Sequence, residues 1–233
     1  MVVPIRTIAA PIAGLPIVSR TGIIPWRSLE RWRAGAFVGA AGLFAVFALL
    51  WGADAVTNIA PRPAVDVFGP AGWVLGFVGL LGLYPGLAER APRTSRAGAV
   101  FTTVGVVGAA TTAVVNLGQL TGITGEPPAW FAALNLLMLV GIVPGFLTVG
   151  VAVLRTDVQS RFLGMLLLVP ALLFVVNVVR VTALGPRAPT GAPFVLGGGQ
   201  ALALLAIGVR LRTAETPTDR APSPADAPPD SQH

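Results

Sequence analysis

The chain has 233 residues, of which 54% are hydrophobic and only 11% charged. A soluble globular domain carries about 25% charged residues, so this composition excludes that class. The formal net charge of +6 comes wholly from arginine: all 16 basic residues are Arg, there is no Lys or Cys, and the sole His is His233. In so apolar a chain, excess Arg is expected in cytoplasmic loops, where it sets membrane orientation, rather than on a nucleic-acid surface. Without Cys there are no disulfides and no thiol redox chemistry.

Residues 1–33 form the first predicted unit, an N-terminal cytoplasmic or interfacial segment. It is interrupted by Pro4, Pro11, Pro16 and Pro25. The stretch TIAAPIAGLPIV, between Arg6 and Arg20, has the texture of a signal-peptide core. Its two prolines and the lack of a small-residue cleavage site argue against that reading, and a flexible tail is expected. The segment ends in PWRSLERWR, residues 25–33. Here Trp26 and Trp32 alternate with Arg27, Arg31 and Arg33. Amphipathic rings and basic heads belong at a membrane–water boundary, so these five residues are expected to anchor the chain on the cytoplasmic face.

A spanning helix needs about 20 mostly apolar residues. Six segments qualify in chain order: 34–56, 68–88, 97–120, 130–154, 162–184 and 193–209. The last is the shortest, and Gly197, Gly198 and Gly199 lower its helix propensity. The fold class is therefore all-α: a polytopic bundle of six transmembrane helices over residues 34–211. Placing the N-terminus inside puts Arg6, Arg20, Arg27, Arg31, Arg33, Arg90, Arg93, Arg96, Arg155, Arg161, Arg210, Arg212 and Arg220 on the cytoplasmic side. Only Arg62, Arg180 and Arg187 stay outside. This bias predicts both termini cytoplasmic in the cell membrane. Residues 213–233, rich in Pro, Ala and Asp, read as a disordered cytoplasmic tail.

Glycines four apart (35 and 39, 72 and 76, 141 and 145) are expected at close helix crossings, since small residues let backbones approach in lipid. A faint repeat joins the second and third spans to the fourth and fifth. PG, SR and VVN recur in the same order, at 85, 95 and 114 and again at 144, 160 and 175.

Strongly polar residues within the spans gather toward one end. Asp54 with Asn58, Asn116 with Gln119, and Asn177 with Arg180 are spaced three or four apart, on one helix face each. Asn135 and Gln200 lie at the same depth on the returning helices. One reading makes these eight residues a water-accessible outer vestibule with an Asp54–Arg180 ion pair at its centre, because ionisable groups within spans face a partner or water. The other has Arg180 snorkelling to the headgroups and the amides joining helices pairwise, at about 0.6 kcal/mol each.

The residue inventory excludes several chemistries. A retinal Schiff base and a P-loop each need a Lys. Axial haem ligation, histidine-based zinc proteolysis and Ser-His catalysis need histidines held in place. No serine lies within a span, and acids are too scattered for a metal-dependent headgroup enzyme. No catalytic residue, metal site or cofactor is expected.

VGLLGLYPGLAERAPR (78–93) and VAVLRTDVQSRFLGMLLLVPALLFVVN (151–177) resemble six-span membrane proteins common in haloarchaea and other GC-rich prokaryotes. The resemblance covers most of residues 34–211 and rests on apolar helices, short Arg loops and a Pro-rich tail. It implies a membrane location and carries over no functional residues. The sequence favours a structural or accessory membrane subunit. Its partners would be the lipid bilayer and either a second membrane protein or further copies of itself, with no nucleic acid. The alternative is a small transporter or channel with an outward-facing vestibule; a membrane enzyme of unfamiliar type ranks third.

Overall fold

The computed structural model describes residues 26–57, 62–127, 129–156, 158–185 and 191–215. The described residues are helical apart from their turns and contain no strand. Among the described residues, five helices are long and apolar enough to cross a membrane: Ser28–Thr57, Pro92–Leu120, Phe131–Arg155, Arg161–Leu184 and Ala192–Ala214.

Helix α1 (Trp26–Thr57) runs unbroken through the expected boundary at residues 33 and 34. It contains no proline, so nothing stops the helix between the basic segment and the apolar span. Arg31 is exposed and Trp32 is 67% exposed, while Arg33 is half-buried and pairs with Glu30 at 3.7 Å. Trp26 and Arg27 occupy the first turn, and the anchoring role expected of their side chains lies outside the described residues.

The second span departs from expectation. Residues 68–88 do not form one helix; α2 (Arg62–Leu81) ends in a turn at Gly82 and Leu83, and a short α3 (Tyr84–Ala88) follows. Two residues account for the break. A Cβ at Gly82 would lie 2.7 Å from Arg33 Cβ and from the Leu29 carbonyl, so the chain can pass α1 only as glycine. Pro85 sits in the first turn of α3, where its missing N–H costs nothing. The uninterrupted apolar part of α2 is the shorter Val65–Leu81.

Helix α4 (Pro92–Leu120) begins five residues before the expected 97. The fourth span holds α5 (Phe131–Val140), a π-helical turn (Gly141–Gly145) and α6 (Phe146–Arg155). Pro144 has no N–H to give the Val140 carbonyl, and widening the turn by one residue accommodates that gap. Helix α7 (Arg161–Leu184) is capped by Ser160, whose hydroxyl accepts from the Leu163 N–H at 3.3 Å. It stops at Gly185, where φ is +87°. Helix α8 (Ala192–Glu215) completes the bundle. It extends past the expected start of the tail at 213; residues 216–233, like residues 1–25, lie outside the described residues.

Neighbours in sequence are neighbours in space: α1 packs on α2, α2 on α4, α4 on α5 and α6, α6 on α7, and α7 on α8. The contact of α8 with α1 closes the ring. Its centre is filled by aromatic side chains around Trp73 of α2. The Trp73 ring meets Phe44 of α1 at 5.0 Å, and Phe146 of α6 and Phe174 of α7 at 5.8 Å each, edge to face. Each such pair adds about 0.5–1.5 kcal/mol beyond area burial. The tightest crossing is α4 against the π turn. Gly105 and Gly141 meet there backbone to backbone, under the ring of Phe77, and neither has room for a Cβ. Of the other expected glycine positions, Gly72 lies under the Phe44 ring, whereas Gly35 and Gly76 have room around them.

The two stretches of the faint repeat do not occupy equivalent places. Pro85 and Gly86 open a short helix, while Pro144 and Gly145 lie in the π turn; Ser95 is buried inside α4, while Ser160 caps α7.

Candidate functional site

The polar positions expected to share one vestibule lie at one end of the ring, where α1, α4 and α7 finish and α2, α5 and α8 begin. The structure distributes them among separate tasks. Asn116 is buried, and its Nδ2 donates to the Asp66 carbonyl at 2.5 Å. That carbonyl lies four residues before Pro70, the residue whose N–H would have satisfied it within α2. Asn116 supplies the donor that the proline removes, and thereby ties α4 to α2. Gln119 donates to the Gly125 carbonyl at 3.2 Å, fixing the turn that follows its own helix. Asn135 is exposed on α5. Asn58 lies outside the described residues.

The expected Asp54–Arg180 ion pair does not form. Asp54 is half-buried near the end of α1 and makes no ion pair. The Arg180 guanidinium turns to its own helix, giving Asn177 Oδ1 two hydrogen bonds of 2.9 and 3.3 Å and the Gly185 carbonyl a longer one of 3.5 Å. Asp54 does not line the space into which α1 and α7 face, whereas Trp51, three residues earlier on α1, does so together with Arg180. A cation over the last turn of α7 also faces the negative end of that helix.

Three of the eight positions do come together. Asn177, Arg180 and Gln200 line a cavity of about 290 Å³ bounded by α1, α2, α7 and α8. Its walls are aromatic, formed by Phe44, Phe47, Trp51, Trp73 and Phe174. The volume is close to the lower end of the range of about 300–1,000 Å³ typical of small-molecule sites. Gln200 is 5% exposed, and its Nε2 donates to the Pro170 carbonyl at 2.9 Å. Among the described residues, its Oε1 has no hydrogen-bond partner, and neither does the buried Nε1 of Trp51 on the facing helix. A buried polar atom left without a partner costs about 1–3 kcal/mol. The two residues that carry these atoms, one a donor and one an acceptor, both line this one cavity.

The aromatic walls were not singled out in the sequence, where Phe and Trp in an apolar helix are indistinguishable from core. Pro70 did carry a legible signal: a proline inside a span frees the carbonyl four residues earlier, so a donor must arrive from another helix. Among the described residues, no three of His, Cys, Asp and Glu group to hold a metal ion. No family model matches this chain, and neither a curated protein nor a solved structure is significantly similar to it.

Proposed function

We propose that this chain is a multi-pass protein of the cytoplasmic membrane that works by holding a small, largely apolar molecule, as an accessory component rather than as an enzyme or a conducting pore. The observation that carries this reading is the aromatic cavity at one end of the ring, with two unpartnered polar atoms in its wall. The remaining polar residues support it: Asn116 and Gln119 are engaged with backbone carbonyls and outline no path through the bundle.

In this reading the chain crosses the bilayer six times, with α2 and α3 together making the second, less regular crossing. The seventeen residues from Val65 to Leu81, apolar but for Asp66, rise about 26 Å, short of a hydrocarbon core of about 30 Å, and α3 completes the distance. Both termini are cytoplasmic, as the arginine distribution favours, and the cavity opens toward the outer face.

Native mass spectrometry of the protein, extracted from its membrane in mild detergent, tests the reading. One small-molecule adduct per chain is expected, together with ion flux in reconstituted vesicles no greater than in empty ones. A bare chain that makes vesicles leak would overturn it. That second outcome belongs to the alternative, a small transporter, which one observation favours: Pro144 and the π turn interrupt a spanning helix, as binding regions of transporters do.

A further inference from the structure

Resting on the reading of the cavity as a binding site, we infer that its occupant is a neutral molecule with an apolar body and a hydroxyl group, an alcohol or a phenol. The two unpartnered atoms define the complement. Trp51 Nε1 is an indole N–H that can only donate, and Gln200 Oε1 is a carbonyl oxygen that can only accept. A ligand that satisfies both must accept one hydrogen bond and donate another, and a hydroxyl is the simplest neutral group with both capacities. Gln200 is fixed in this orientation, because its Nε2 is committed to the Pro170 carbonyl. The Trp51 ring is likewise held, edge to face against Phe47 at 6.5 Å.

The polar pair and the rim together disfavour an ion. An anion would be drawn to Arg180 and could accept from the Trp51 N–H, but it has no proton to give Gln200 Oε1 and would face that oxygen's lone pairs. A cation would meet Arg180 and the Trp51 N–H, and among the described residues no carboxylate lines the cavity to balance it. The guanidinium is engaged with Asn177 Oδ1, so the rim is already organised before anything binds. Beyond the polar pair, the walls run down to Trp73 at the centre of the ring, where an apolar body would replace empty space with dispersion contacts.

A matched series of probes separates these contributions. In 4-butylphenol the oxygen donates and accepts, in 4-butylanisole it only accepts, and butylbenzene does neither. The full chain is placed in lipid nanodiscs with ¹⁵N-labelled tryptophan. Of its five indole signals, that of Trp51 is the one lost in Trp51→Phe. The expected result is a saturable shift of this signal by 4-butylphenol, with 4-butylanisole and butylbenzene at least about tenfold weaker. Gln200→Met should bring the phenol down to the level of the anisole. Should that variant not fold, Trp51→Phe keeps an aromatic ring at the position while removing the N–H, and saturation transfer to 4-butylphenol should show binding weakened by about tenfold. Equal binding of all three probes would overturn the hydroxyl while leaving the cavity as an apolar binding site. No shift with any probe would overturn both.

Discussion

Where α4 crosses the π turn, Gly105 and Gly141 bring two backbones together with no side chain between them. At the end of the ring where α1 and α7 finish, five aromatic rings instead surround an open volume of about 290 Å³. Both regions are apolar, and both lie inside one bundle. The difference is in what fills the space between helices. Glycine removes bulk and lets main chains pack directly, which leaves no room for anything else. Large flat rings fixed edge to face hold helices apart, and any gap among them persists because rings cannot collapse as flexible chains do. Rigidity is thus placed at the waist of the bundle and vacancy at one end.

The comparison breaks most sharply at the waist. Gly141→Ala forces a Cβ into the backbone of Gly105, where neither partner can yield. A loss of more than about 3 kcal/mol of stability is expected, larger than ordinary overpacking. Thermal unfolding of the variant in detergent would check it, and a midpoint unchanged from the parent would show that the two helices are not in contact.

A smaller effect is expected at Asn116. Replacing it with alanine removes this donor from the Asp66 carbonyl and should cost about 1–3 kcal/mol. Pro70→Ala returns an N–H to that carbonyl, so in its background the same replacement should cost less than about 1 kcal/mol. A double-mutant cycle read by unfolding reports the coupling directly. Additive effects would mean that Asn116 does something other than replace the missing donor.

Smaller still is the expected coupling between Asp54 and Arg180. Asp54 lies outside the cavity that Arg180 lines, so Asp54→Asn and Arg180→Gln should be additive within about 0.5 kcal/mol. Coupling above about 1 kcal/mol would restore the ion pair and bring Asp54 into the cavity.

The sequence made the helices legible because lipid demands long apolar runs, and such runs are visible one residue at a time. Five of the six segments correspond to helices long enough to cross. The break at Gly82 was hidden, because it comes from the passage of α1 beside it, a contact between residues far apart in the chain. The site was legible only by depth. Spacing put Asn116, Asn177 and Gln200 toward one end of the bundle. Which of them face each other depends on the order of helices around the ring, and no periodicity within a single helix encodes that. Asn116 looked like a lining residue because the proline it serves lies on a different helix. Trp51 looked like core because its orphaned N–H is a property of the assembled cavity.

The division of polar residues into a sealed tie at α2 and α4 and an open cavity at α7 and α8 is the centre of this account, and thiol accessibility tests it most directly. The chain has no Cys, so single substitutions Asn116→Cys and Asn177→Cys introduce the only reactive groups. With the protein in nanodiscs, a small charged thiosulfonate should modify position 177, which lines the cavity, while position 116, 7% exposed, stays protected. Modification of both at similar rates would contradict the account and return all the polar residues to one water-filled vestibule.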